Sequence, residues 1–218
     1  MGEIIYELLQ LAGILAFAVS GALVGVRRDL DLLGVAVVGS FTGIGGVILR
    51  DLLLGVHPPV SLVHWPNLAV ALGGSLLVFF VHPSLARSPR FEVVFDAFGL
   101  GLFSANGAAT AFAAGQPAVT AILVGAITAI GGGVIRDVLV NTVPAVLTRE
   151  LYAVSALLGA GVSVGMLALG ADGGLASLLG GAIAIALRLL SVARGWHLPR
   201  PRAVADRRRE DRDRPAAG

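Results

Sequence analysis

Thr42-Gly43-Ile44-Gly45-Gly46-Val47-Ile48-Leu49-Arg50-Asp51 is answered, 86 residues later, by Thr128-Ala129-Ile130-Gly131-Gly132-Gly133-Val134-Ile135-Arg136-Asp137. The same register carries outward in both directions without a gap. Phe17 meets Phe103, Ser20 meets Asn106, Gly21-Ala22 meets Gly107-Ala108, Gly39 meets Gly125 and Leu53 meets Leu139. Further on, Pro58 meets Pro144 and Gly73 meets Gly159. Gly and Ala coincide easily by chance in such a chain. Arg-Asp, Thr, Phe and Pro in one register do not, so the chain reads as an internal duplication.

Hydropathy says what each copy contains. Of 218 residues, 56% are hydrophobic and 14% charged, with a mean hydropathy of +0.87. A water-soluble domain of this size could not cover so much apolar surface, and the bilayer is the natural solvent. Stretches of the length needed to cross, about 20 residues each, recur at 4–26, 32–56, 64–83, 91–113, 117–140, 151–170 and 173–194. Turn or charge signals separate them, among them Arg27-Arg28-Asp29, His57-Pro58-Pro59 and Gly115-Gln116-Pro117. Each copy holds three spans, an odd number, so the second copy enters from the opposite face and the two are related by a pseudo-two-fold axis in the membrane plane. The expected fold is an all-α integral membrane protein with seven transmembrane helices: an inverted 3+3 repeat plus a C-terminal seventh helix. The expected division is 1–88 for the first repeat, 89–172 for the second, 173–198 for the seventh helix and 199–218 for a disordered Arg-rich cytoplasmic tail.

All 16 cationic residues are Arg. Seven of them lie after Pro199, among four acids, so the tail carries +3 and the body −1. The interleaved acids argue against a nucleic-acid-binding stripe. Arg27, Arg28, Arg87, Arg90 and Arg149 fall in the loops after spans one, three and five. The positive-inside rule then places the N-terminus outside and the C-terminus in the cytoplasm. Glu3 and Glu7 open the chain where a secretory signal would be basic, so no cleaved leader is expected. With no Cys in the chain, disulfides and thiolate metal sites are excluded.

The repeated Gly and Arg-Asp motif also carries the candidate chemistry. Gly45-Gly46 and Gly131-Gly132-Gly133 sit within spans, where consecutive Gly weakens a helix by about 1 kcal/mol per residue relative to Ala. The expectation is a kink or an unwound turn lining a cavity, its freed carbonyls facing water or an ion. The plainer alternative is close helix packing. Arg50, Asp51, Arg136 and Asp137 are charges within spans, each costing roughly 2.5–3.5 kcal/mol unless paired or hydrated. Helix neighbours point about 100° apart, so pairing across the repeats, Arg50 with Asp137 or Arg136 with Asp51, is expected in place of pairing between neighbours. Thr42, Thr128, Ser20 and Asn106 offer neutral oxygens, and Asp96 is expected at the cytoplasmic mouth. A buried Ser or Thr can instead bond the carbonyl four residues back. No phosphate-binding loop, metal-spaced His cluster or intramembrane Ser-His pair is present, and the chain is not expected to be an enzyme.

Phe17-Ala18-Val19-Ser20-Gly21-Ala22, Arg27-Arg28, and the paired Gly-Gly…Arg-Asp motifs, the first running on to Gly55, resemble the prokaryotic trimeric intracellular cation (TRIC) channels over residues 4–194. The resemblance implies a homotrimer with a pore in every protomer and no organic cofactor. The pore would pass monovalent cations, chiefly K+, with Na+ the other candidate. It would be lined by spans one, two, four and five, with spans two and five kinked at the constriction. Phe17 and Phe103 fall among the matching pore-helix positions. The implied setting is the plasma membrane of a prokaryote, with lipid the surrounding partner and no soluble one. The Lys-Glu-Val motif of eukaryotic members is absent, so phosphoinositide gating is not implied. The same sequence family includes members described as glycine transporters, which keeps a small-solute transporter as the alternative.

Overall fold

The computed structural model describes residues 2–81, 89–148 and 151–196, and these are helical wherever the apolar stretches predict. The helices are α1 (Gly2–Arg27), α2 (Leu32–Leu53), α3 (Val60–Val63), α4 (Trp65–Val81), α5 (Pro89–Ala113), α6 (Ala118–Leu139), α7 (Ala145–Thr148), α8 (Tyr152–Ala168) and α9 (Gly173–Arg194). Arg87, Arg149 and the expected tail from residue 199 lie outside the described residues. Five helices, α1, α2, α5, α6 and α9, are long and apolar enough to cross a bilayer by length and composition. The apolar α4 and α8 are shorter, 17 residues each. At 1.5 Å per residue they span about 25 Å, close to the bilayer core. Together these make the seven spans.

The two four-residue helices, α3 and α7, are not anticipated by periodicity. They occupy equivalent places in the two halves, 85 residues apart at their first residues. The turns match as well. Asp29 and Gly115 take left-handed φ of 54° and 81°, and Gly55 and Asn141 take 73° and 55°. In each pair the positions differ by 86. After α1 and α5, Leu30 N–H bonds Gly25 O and Gln116 N–H bonds Ala111 O. After α2 and α6, Val56 N–H bonds Asp51 O and Thr142 N–H bonds Asp137 O. These are the six-to-one bonds of a Schellman end, which needs one residue in the left-handed region. The duplication therefore extends from helix faces to loop geometry.

Helix packing follows the same symmetry. α1 packs on α2 and α5 packs on α6; α1 meets α5 and α2 meets α6 across the halves. α4 lies against α1 and α2, and α8 lies against α5 and α6 in the equivalent way. α9 stands outside the repeat and packs on α5 and α8, with a smaller contact to α1. Large apolar side chains such as Phe80, Val119 and Leu169 project outward, as lipid-facing positions require.

Candidate functional site

Four helices converge at the pseudo-axis. Gly46 lies against the carbonyl oxygen of Thr128, and Gly132 lies against that of Thr42, so closely that a Cβ at either position would overlap the oxygen. Going from Thr42 to Gly46, the partner on α6 moves back from Gly132 to Thr128, so the two helices cross antiparallel. Gly45 faces Ile135 and Gly131 faces Leu49 around the same crossing. The helical hydrogen-bonding pattern runs through residues 42–46 and 128–133 without an unwound turn. Of the two expected forms the unwound turn is thus not present, and no carbonyl is freed there. Glycine serves close backbone approach, which is how helices without a hydrophobic driving force associate in lipid.

Phe17 and Phe103 fill the space beside this crossing. Their rings meet edge to face, with centroids 5.3 Å apart at 62°, and both are buried. Gly99 lies under the Phe17 ring and Gly13 under Phe103. The Thr42 and Thr128 hydroxyls donate to Val38 O and Val124 O, each at 2.6 Å. They back-bond to their own helices beside Gly21 and Gly107. The centre is an apolar plug flanked by backbone contact.

Arg50 and Arg136 lie in the last turns of α2 and α6, within the spans Leu32–Leu53 and Ala118–Leu139. Because the helices are antiparallel, the two arginines fall on opposite sides of the crossing. The contacts centre the crossing on Ile44 and Ile130, and six residues from there to each arginine correspond to about 9 Å of helix rise, so the two positions stand roughly 18 Å apart along the helices. The expected cross-repeat ion pairs do not form. Arg50 instead donates from Nε and Nη2 to Oδ1 of its neighbour Asp51, at 2.9 and 2.7 Å. Arg136 donates from Nε to Asp137 Oδ1 at 2.9 Å. The arginine stem is long enough to fold back along the helix, which overrides the 100° separation of the Cβ atoms. The second oxygen explains the aspartates. Asp51 Oδ2 accepts from Val60 N–H and Asp137 Oδ2 from Ala145 N–H, each at 2.8 Å. These are the first residues of α3 and α7, so each carboxylate joins a buried guanidinium to an otherwise open helix start.

The shells around the arginines are related but not identical. Arg50 Nη1 reaches Gln10 Oε1 at 3.1 Å and Thr110 Oγ1 at 3.4 Å. Arg136 Nη1 reaches Asp96 Oδ1 at 2.7 Å and Ser20 Oγ at 2.8 Å. Gln10 and Asp96 are repeat equivalents. Ser20 Oγ donates to Glu92 O at 3.5 Å, and its counterpart Asn106 donates from Nδ2 to Tyr6 O at 3.2 Å. Arg27 pairs with Glu92 above the Arg136 cluster. A vestibule of about 200 Å³, lined by Val24, Arg27, Glu92, Arg136, Asp137 and Thr142 among others, opens from that side onto the Arg136–Asp137 pair.

The residues singled out in the sequence thus fall into three groups. Phe17, Phe103, Thr42, Thr128, Gly45, Gly46, Gly131 and Gly132 meet at the centre. Arg50, Asp51 and Asn106 lie at one end, and Ser20, Asp96, Gly133, Arg136 and Asp137 at the other. Sequence reasoning missed Gln10, Thr110, Tyr6, Tyr152 and Arg188. The 86-residue register held the signal for Gln10, since it is the counterpart of Asp96. Nothing of that kind pointed to Arg188, which lies outside the repeat.

The family model for glycine transporters matches residues 7–83 and 93–168. The matched blocks correspond to the two halves. A UPF0126 membrane protein of Deinococcus radiodurans is 45% identical over 70% of this chain and 72% of its own length. The UPF0126 membrane protein YvgT of Bacillus subtilis is 40% identical over 89% of this chain and 95% of its own. Among solved structures, a TRIC cation channel studied for its conductance superposes with a TM-score of 0.83 at 39% identity. It covers 90% of this chain and 97% of that one. The trimeric intracellular cation channel orthologue of Rhodobacter sphaeroides gives 0.81 at 38% identity, covering 87% and 98%.

Proposed function

This chain belongs to the glycine-transporter family, whose fold is that of the TRIC cation channels, and from that premise we propose a monovalent cation channel with one path inside each protomer. The observation that carries the reading is the axial order of groups among α1, α2, α5 and α6. A buried Arg-Asp cluster stands at each end, and the Phe17–Phe103 plug lies between them. Charges buried at this cost persist where they line a conduit or hold a gate. In this reading the structure is a closed state. Arg50 and Arg136, neutralised by Asp51 and Asp137, act as gates that swing aside. Ser20, Asn106, Thr42 and Thr128 supply neutral oxygens to the ion, and Asp96 attracts it at the Arg27 end.

K+ is the permeant ion of this reading, with Na+ the competitor. The repeats divide at 88/89, the seventh helix begins at 173, and the assembly is a homotrimer in the plasma membrane. The Arg27 side faces the cytoplasm, by the positive-inside rule. The test is a bilayer recording of reconstituted protein under K+ on one face and Na+ on the other. The expected result is unitary current reversing toward the K+ equilibrium potential. Saturable glycine uptake without unitary current would overturn it.

That outcome is the second reading, a glycine-type transporter. The name of the matched family favours it, as does a centre closed to both ends, the occluded form that alternating access requires. Turnover separates the two, because a transporter saturates at a conformational rate.

A further inference from the structure

Three of the differences between the halves gather beside α9. Asp96 stands where the first half has Gln10, Gly133 where it has Val47, and Tyr152 where it has Pro66. All three differences meet in one place. Tyr152 is buried, and its hydroxyl approaches Asp96 Oδ1 at 3.4 Å. That same oxygen accepts from Arg136 Nη1 at 2.7 Å. A Cβ on Gly133 would stand 2.8 Å from the Tyr152 hydroxyl, so the third glycine of the second motif makes room for this ring. Behind the ring lies Arg188 of α9, 1% exposed, its guanidinium carbon 4.9 Å from the ring centroid. A cation over a desolvated aromatic face is held by the ring quadrupole. Arg188 therefore restrains Tyr152, Tyr152 restrains Asp96, and Asp96 bridges to Arg136, whose Nη1 also sits on Ser20 of α1. Five helices are joined through one carboxylate oxygen. The Arg50 end has no such extension to α9: among the described residues, Gln10 stands in place of the carboxylate and Pro66 in place of the ring.

We propose that Tyr152, held by Arg188, is a positioning residue that keeps the Asp96–Arg136 pair closed across the path, so that the helix outside the repeat governs how often the Arg27 end opens. The proposal rests on the channel reading above, and it makes the two ends unequal despite their common ancestry. Tyr152→Phe removes the hydroxyl and keeps the ring over Arg188. In single-channel recordings of the reconstituted full chain, the open probability is expected to rise about fivefold, the population shift of one lost hydrogen bond of ordinary strength, as suits a contact of 3.4 Å. Unitary conductance stays unchanged, because Tyr152 acts through Asp96 and not on the ion. Arg188→Leu moves open probability the same way, and Arg188→Lys, which keeps a cation over the ring, returns it toward the wild-type value. A structural role alone would lower the amount of folded protein without this rescue. A second readout does not depend on current. The chain has no Cys, so Ser20→Cys introduces a sole thiol beneath the Arg136 gate. A small hydrophilic thiol reagent should modify it several times faster in the Tyr152→Phe background than with Tyr152 intact, scaling with the open population. Unchanged open probability together with an unchanged modification rate overturns the proposal. Absence of wild-type current overturns the channel reading instead, and the thiol measurement then decides the positioning role by itself.

Discussion

At the residue scale, Gly133 is understood through its neighbour more than through its own helix. The first repeat carries Val47 at this position, and α2 tolerates it because no tyrosine hydroxyl faces it. Gly133→Ala sets a methyl against the Tyr152 hydroxyl. Overpacking of this kind costs about 1–3 kcal/mol. In the Tyr152→Phe background the obstructing oxygen is gone, so at least half of that cost should return. A double-mutant cycle on thermal unfolding in detergent measures the difference directly. Strictly additive effects would contradict the contact. The arginines teach a related lesson. Their presence as buried charges was legible in the sequence; their partners were not. The angular rule for helix neighbours treats side chains as short vectors, while arginine has the reach to double back onto Asp51 or Asp137 when the helix ends nearby.

At the element scale, the aspartates bind each long helix to the short one that follows. Asp137→Asn keeps an oxygen for Ala145 N–H and should leave α7 in place. Asp137→Ala removes that acceptor and leaves Arg136 with Asp96 as its remaining carboxylate among the described residues. Breaking one partner of a buried pair costs about 3–5 kcal/mol. Hydrogen exchange over residues 142–148 should accelerate strongly in the Ala variant and little in the Asn variant, and equal acceleration in both would count against the capping role. The spans themselves were legible because about 20 apolar residues have few alternatives in a chain. The helices α3 and α7 were not, since four residues carry no periodicity and their start is fixed by a carboxylate nine or eight residues earlier. The glycine runs misled for a different reason. Low helix propensity in water predicts a break, but inside lipid an unpaired carbonyl is costly, and the helix persists.

At the scale of the whole molecule, the plug separates two ends built from one plan. Phe17→Ala or Phe103→Ala opens space at the centre. The expected outcome is a K+ leak in proteoliposomes, larger when both are replaced, together with a loss of about 3–5 kcal/mol for each buried ring. A flux assay on protein shown to be folded separates leak from collapse, and tight vesicles from the double variant would remove the plug from the path.

The crossing of α2 and α6 has a mechanical consequence. Where Gly46 touches Thr128 and Gly132 touches Thr42, backbone rests on backbone with no side chain to compress. Such a contact is a fulcrum. The arms are equal, each about 9 Å from the middle of the crossing to its arginine at 1.5 Å per residue. When α2 pivots there against α6, its Arg50 end and its Leu32 end swing in opposite directions, and by the repeat the Arg136 and Ala118 ends of α6 do the same.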